Sequence, residues 1–315
     1  MTEKVYDIVI VGAGAAGMTA AIYGVRAGKE VLVFEAKTYG GQIINTTKIE
    51  NYPAAAHISG VEFANNLYKQ AKELGAEFRF EEVLEIVENN QGRGKFKVLT
   101  DEGEYVARAI ILANGSVERR LGLSNEEKFV GRGISYCATC DGGFFKGKTV
   151  AVNGGGNTAL WDALYLANLA AKVYVIHRRG EFRADKALVE KVAKLGNVEF
   201  LMNKKIVELA GGKKLEKIIL EETEVSGGDS ERKELAVGGL FVAIGREPDN
   251  QRFKEFIELD KEGYIESDES CRTSREGVFC AGDVRKKKLN QLVTATADGA
   301  VAATGAIDFI SRGEL

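Results

Sequence analysis

One pattern that occurs twice narrows the fold of this 315-residue chain more than anything else in it. Val5–Val11 (VYDIVIV) is an apolar run rich in β-branched residues, which predicts a buried strand. Gly12-Ala13-Gly14-Ala15-Ala16-Gly17 follows at once. An Ala-rich stretch, Met18 to Ala27, then predicts a helix stopped by Gly28, and Val31 to Phe34 predicts a strand ending at Glu35. In this strand–turn–helix–strand order each residue has a task. The first glycine makes the tight turn, the second lets backbone approach a pyrophosphate, and the third lets helix pack on strand. The carboxylate at the second strand's tip accepts hydrogen bonds from a ribose. A second unit of the same kind begins with a strand over Thr149–Asn153 and the loop Gly154-Gly155-Gly156-Asn157-Thr158-Ala159. A helix over Leu160–Ala170 and a strand over Val173–Ile176 complete it, ending at His177-Arg178-Arg179.

The interval from Gly12 to Glu35 equals that from Gly154 to His177, so the two units are an internal repeat. The ribose-binding acid of the first copy is His177 in the second, with Arg178 and Arg179 behind it and Arg183 close by. Removing the carboxylate and adding guanidinium groups suits a 2′-phosphate, hence NADP(H) over NAD(H). The chain is therefore expected to hold two different dinucleotides. The fold class that follows is α/β, with two Rossmann-like dinucleotide-binding domains, each three-layered, the second inserted in the first. The insertion is read from linkers at Asn114–Arg119 and near Gly245. They give a discontinuous first domain, 1–115 and 246–315, and a second, 116–245. Between the repeats a helix is expected over Val61–Leu74, with strands over Phe78–Val87, Lys95–Thr100 and Glu104–Leu112. Beyond them come strands over Val198–Leu201 and Leu240–Ile244, and a hairpin of Leu215–Glu221 with Lys233–Val237. A last strand over Val278–Ala281 closes at Gly282-Asp283, and an Ala-rich helix runs from Leu292 to Ile310.

Between the two repeats lies Cys137-Ala138-Thr139-Cys140-Asp141, which holds two of only four cysteines. Such a pair can be a redox couple, half a zinc site or two ordinary thiols. Zinc needs about four ligands, and the sequence has no second CxxC and no HxxxH, so no metal is expected. Of the two histidines, His177 belongs to the nucleotide unit, which leaves no case for a Cys–His nucleophile. Cys280 lies in an apolar strand and reads as a small hydrophobe, and Cys271, in a polar stretch, as an incidental thiol. A net charge of −3 gives no reason to expect nucleic acid or an anionic membrane. No apolar run reaches the roughly 18 residues of a membrane span. The N-terminus lacks a basic and then apolar leader, so a cytoplasmic location is expected.

Taken together, the motifs resemble one family, the low-molecular-weight thioredoxin reductases. GAGAAG, GGQ at Gly40–Gln42, ENYP at Glu50–Pro53, CATCD, GGGNTA, HRR and CAGDV at Cys280–Val284 stand in that family's order over nearly the whole chain. The resemblance implies FAD in the first domain, at Gly12, Gly14, Gly17, Glu35, Gly41, Gln42, Asn51, Val83, Gly282, Asp283 and Gln291. It implies NADPH in the second, at Gly155, Gly156, Asn157, Thr158, His177, Arg178, Arg179, Arg183, Ile244 and Gly245. It makes Cys137–Cys140 a redox-active disulfide that passes electrons to oxidised thioredoxin, with Cys140 facing the flavin, Cys137 attacking the partner and Asp141 as acid/base. A homodimer is also implied. Two residues depart from the family pattern: Asn114 stands where it has Thr, and Asn290 where it has Arg. The competing readings are a reductase of another dithiol carrier, of the peroxiredoxin or glutaredoxin-like kind, and a non-catalytic flavin-binding sensor.

Overall fold

The computed structural model describes residues 4–46, 48–49, 51–55, 57–90, 94–223 and 232–313. Glu50, the first residue of ENYP, lies outside them. In chain order the elements are β1 (Val5–Val11), α1 (Ala15–Arg26), β2 (Val31–Phe34), α2 (Gly60–Glu73), β3 (Glu77–Arg79), β4 (Val83–Glu88), β5 (Phe96–Thr100), β6 (Glu104–Leu112) and β7 (Ser116–Glu118). Next come α3 (Glu126–Phe129), β8 (Ile134–Ser135), α4 (Ala138–Asp141), β9 (Thr149–Asn153), α5 (Asn157–Ala167), β10 (Lys172–His177), α6 (Lys186–Ala193) and β11 (Val198–Met202). The rest are β12 (Lys204–Ala210), β13 (Lys217–Glu222), β14 (Lys233–Ala236), β15 (Gly239–Val242), β16 (Arg246–Pro248), β17 (Val278–Cys280) and α7 (Leu292–Gly313). They form two compact units. One comprises residues up to 117 and from 247 onward, and the other residues 118–246.

The first unit is built on parallel strands in the order β3-β2-β1-β6-β17. Strand β6 is shared. Its C-terminal end pairs with β17 (Ile110 with Val278), while its N-terminal end pairs antiparallel with β5 (Ala107 with Phe96), which pairs with β4. Alternate residues of β1 feed opposite layers, as a two-residue period requires. Ile8 and Ile10 pack with Met18 and Ile22 of α1 and Ala303 and Ala306 of α7. Val9 and Val11 pack with Phe253, Ile257 and Ile265 on the other face. Gly299 lets α7 approach α1 closely, since a Cβ there would lie 2.2 Å from the Ala16 carbonyl oxygen.

The second unit repeats the plan. Its parallel order is β11-β10-β9-β15-β8, with an antiparallel sheet β12-β13-β14 beside it. Val150 and Val152 of β9 pack with α5, and Ala151 faces the opposite layer with Leu220 and Leu240. The equivalence reaches single atoms. A Cβ on Gly12 (φ +104°) would lie 2.4 Å from the Ala113 carbonyl oxygen, and one on Gly154 (φ +158°) 2.2 Å from that of Ala243. In each copy the loop crosses directly over the end of the neighbouring strand, which only glycine permits.

The structure corrects several expectations. Phe78–Val87 is two strands, because Glu81 turns inward and accepts hydrogen bonds from Thr100 and Tyr105. Strand β12 was not expected, since its lysines and glutamate hide the pattern. Helix α5 starts at Asn157, three residues early, because its polar first turn is part of the glycine loop. Not foreseen either is the two-stranded sheet in which β7 and β16 pair, within the segments read as linkers.

Helix α5 also carries Asp162, whose carboxyl burial pushes up to about 7. From pH ~4, where an unfolded Asp ionises, up to about 7, the folded chain keeps a proton that the unfolded chain releases. Stability therefore falls as pH rises through that window. Asp162→Asn is expected to flatten this slope and to raise stability at pH 8 by about 2 kcal/mol. Urea denaturation of both proteins from pH 5 to 8 checks it, and identical pH slopes would refute it.

Candidate functional site

Strand β8 delivers Ser135 in a buried position just ahead of the cysteines. The chain turns at Tyr136, and Cys137, in extended conformation, becomes the N-cap of the single helical turn α4. Cys137 and Cys140 are joined by a disulfide. Cys137 Sγ accepts the Cys140 N–H at 3.2 Å and lies 3.4 Å from Thr139 Oγ1. Cys137 is half-buried, whereas Cys140 is exposed. Asp141 Oδ2 accepts the Ser135 hydroxyl at 2.7 Å. Tyr136 donates at 2.5 Å to Glu126 Oε1, and this buried carboxylate also accepts the Leu121 and Gly122 N–H groups. Burial, and then the bond to Glu126, push the Tyr136 phenol well above its ordinary range. Sequence reasoning missed Ser135, Tyr136 and Glu126. Glu126 stands in Asn125-Glu126-Glu127-Lys128, which reads as solvated surface.

The other two cysteines are free and buried. Burial pushes the Cys271 thiol up to about 12 and the Cys280 thiol up to about 11, so neither is a thiolate at neutral pH. Cys280 is the small hydrophobe expected. Cys271, read as an incidental thiol, is buried in the core cluster that holds Ala302, Ala303 and Phe279, although its neighbours in sequence are polar and the chain turns there at φ +59°.

In the first unit the GAGAAG loop, Glu35 and the GGQ segment converge at the C-terminal end of β1. Glu35 Oε2 accepts the Ala13 N–H at 3.0 Å. Gly14 bridges to Gly40, and a Cβ on Gly41 would lie 3.2 Å from the Gly14 Cα. A Cβ on Gly17 would meet the Gly12 carbonyl oxygen at 1.9 Å. Helix α1 begins at Gly14 with no side-chain cap, the arrangement that leaves N-terminal N–H groups for an anion. Gly282 stands against Ala16, which sets Asp283 beside the start of α1. Asp283 Oδ1 is buried and makes no hydrogen bond; its nearest cation is Lys287 Nζ at 3.6 Å. A buried carboxylate oxygen without a donor fits a sugar-like hydroxyl, so the residues present fit FAD. Asn51 and Gln291, far apart in sequence, meet through Asn51 Nδ2 and Gln291 Oε1 at 2.9 Å. Gln42 is exposed. Val83 sits in the antiparallel wing, its side chain in the core and its carbonyl accepting from Arg252.

Asn114, one of the two departures, donates to the Asp249 carbonyl at 2.6 Å and to Asn250 Oδ1 at 3.1 Å. It is thereby committed to fastening the returning chain inside the first unit. Asn290, the other, is exposed.

In the second unit helix α5 likewise begins without a side-chain cap, at Gly156. Asn157 is held by Asp185 through two hydrogen bonds, of 3.0 and 2.8 Å, and Thr158 is exposed. His177 is buried. Its ring fills the space a Cβ on Gly155 would need, 2.2 Å away, and stacks on Phe182. Burial lowers its pKa, and Arg183, Arg179 and Arg178 push the same way, so it is neutral at pH 7. Arg178, Arg179 and Arg183 are exposed. Among the described residues none of the three guanidinium groups has an ion-pair or hydrogen-bond partner. Unpaired guanidinium groups beside an uncapped helix start fit the phosphates of NADPH. Ile244 and Gly245 leave the end of β15, and Gly245, at φ +107°, accepts the Arg119 N–H.

Comparison with known proteins agrees with this geometry. Residues 6–299 match the family model of the pyridine nucleotide-disulphide oxidoreductases. The chain is 41% identical over 312 residues to a thioredoxin reductase of Listeria innocua, covering 98% of this chain and 95% of the relative. It is 42% identical over 309 residues to one of Treponema pallidum, covering 98% of each. A crystal structure of Lactococcus lactis thioredoxin reductase superposes with a TM-score of 0.88 at 35% identity, covering 98% of this chain and 99% of that one. With matches of this extent, the chain belongs to the pyridine nucleotide-disulphide oxidoreductases and, within them, to the low-molecular-weight thioredoxin reductases.

Proposed function

We infer that this chain is an NADPH-dependent flavoprotein that reduces the disulfide of thioredoxin through its own Cys137–Cys140 pair. The observation that carries this reading is a disulfide in one nucleotide-binding unit of a chain whose other unit has a distinct cradle. Bound NADPH and FAD supply a hydride and a two-electron relay toward the disulfide. The chain's own residues bind and orient. Gly12, Gly14, Gly17 and Gly41 let backbone approach one pyrophosphate, and Gly155 and Gly156 the other. Glu35 and Asp283 offer carboxylates to sugar hydroxyls, and Asn51 with Gln291 forms a polar clasp at the same unit. Arg178, Arg179 and Arg183 offer charge to a 2′-phosphate. His177 is proposed as the packing residue that demands glycine at 155, not as a phosphate ligand. Asp141 is proposed to hold the proton that the Cys140 sulfur takes up when the disulfide opens, and Cys137 to exchange with the partner. Assignment of residues 1–117 with 247–315 to FAD, and of 118–246 to NADPH, is part of the same proposal. So are a homodimer and a cytoplasmic location, both inferred from the resemblance to thioredoxin reductases. No helix among the described residues is long and apolar enough to cross a membrane.

The test is anaerobic titration at the flavin absorbance band. NADPH is expected to bleach it, NADH to act far more slowly, and oxidised thioredoxin to restore it. Bleaching by NADH alone would overturn the second cradle. Failure of thioredoxin to restore the band would overturn the substrate.

A further inference from the structure

Ser135 is 4% exposed, and its hydroxyl touches both halves of the redox motif. Its oxygen accepts the Cys137 N–H at 3.1 Å. Its one hydrogen has two acceptors in reach, Asp141 Oδ2 at 2.7 Å and the Cys137 carbonyl at 3.2 Å. The contact to the Asp141 side-chain oxygen is the shorter and so sets the direction of the hydroxyl. Ser135 is held in turn by β8, whose neighbours Ile134 and Ser135 pair with Leu240 and Phe241 of β15. The hydroxyl thus stands on a sheet strand, whereas Asp141 stands on a single turn of helix that cannot fix a side chain by itself.

We propose that Ser135 is a positioning residue for the reduction of the Cys137–Cys140 disulfide, holding the Asp141 carboxylate and the Cys137 backbone in one geometry. The proposal rests on the acid/base reading of Asp141. In the step concerned, two electrons break the S–S bond. Cys137 leaves as a thiolate. Asp141, having taken up one proton from solvent, passes it to the Cys140 sulfur, which becomes a thiol, and Asp141 returns to the carboxylate that Ser135 holds. The electrons come from the NADPH-driven activity already assigned. A proton transfer of this kind depends steeply on placement, so losing the hydroxyl costs rate and not affinity.

The test uses the flavin-loaded protein and the variants Ser135→Ala, Asp141→Asn and both together. Ser135→Ala is expected to lower kcat about tenfold while the KM values for NADPH and thioredoxin stay within about twofold. In the Asp141→Asn background it is expected to cost less than about threefold, because the group it serves is gone. Reduction of the disulfide by dithiothreitol without NADPH, followed by thiol counting, is expected to slow in parallel. A kcat within twofold of the parent overturns the proposal, and so does the same fractional loss with and without Asp141. Asp141→Asn at the parent's rate sinks the acid/base reading and the proposal with it, whereas additive losses sink the proposal alone. Should Ser135→Ala not fold, Ser135→Thr and Ser135→Val take its place, since they match in shape and differ in the hydroxyl. A Thr variant as slow as the Val variant overturns the proposal.

Discussion

Replacing Cys140 with Ser is expected to lower thioredoxin reduction on the order of 10³-fold or more, and replacing Cys137 is expected to do the same. The reason is arithmetic in electrons. A single sulfur cannot store the pair that a disulfide takes up, and the two free thiols elsewhere, Cys271 and Cys280, are buried and protonated and cannot substitute. Both variants are expected to retain their flavin and its bleaching by NADPH, because the glycine cradles are untouched. Turnover measured beside flavin absorbance separates the two effects. The variants differ in what they trap. Cys137 is assigned to attack the partner, so Cys140→Ser is expected to accumulate a mixed disulfide with a thioredoxin that carries one activated cysteine, and Cys137→Ser is not. The exposure of Cys140 in the structure gives this experiment its edge, for solvent access alone would favour the opposite order. A covalent complex formed by Cys137→Ser and not by Cys140→Ser would exchange the two roles.

The second large effect concerns Arg178 and Arg179. Changing both to Ala is expected to lower kcat/KM for NADPH about 100-fold, or about 2.7 kcal/mol, since a charge-assisted hydrogen bond contributes roughly 1.5–3 kcal/mol. Use of NADH is expected to change less than about threefold, because the lost partner is the 2′-phosphate alone. Neither guanidinium is engaged by a carboxylate among the described residues, so removing them breaks no internal pair. Steady-state kinetics with both nucleotides decide the matter. Equal losses for NADPH and NADH would mean that the arginines support the fold or the pyrophosphate. His177→Ala is a contrasting case. It is expected to destabilise the protein through the gap left beside Gly155 and Phe182, with no change in the preference between nucleotides.

The repeat was readable in the sequence because its demands are local. A buried strand needs an apolar run, and backbone crossing backbone needs glycine at fixed positions, so β1, β9, Gly12 and Gly154 stood out. What escaped depends on contacts distant in sequence. Glu81 and Glu126 are acids turned inward onto donors that no periodicity announces. Cys271 is buried by helix α7, although its neighbours in sequence are polar. At the candidate site, residue type and spacing are what nominate the cysteines, glycines and arginines. Ser135 could not, because a serine two residues ahead of a cysteine carries no signal until β8 and α4 set its hydroxyl against Asp141. The repeat singles out His177, but only the packed ring shows that it faces inward.

The shared strand β6 has a consequence for synthesis. Its C-terminal end waits for β17, and the apolar face of α1 waits for α7, and both arrive only after residues 118–246 have been made. On the ribosome the inserted unit can close while the unit that flanks it in sequence is still open. At about 5–20 residues per second, Met18, Ile22 and Ile111 stay uncovered for roughly ten seconds or more. The part of the chain that is made first is therefore finished last, and in that interval it is the part a chaperone would meet.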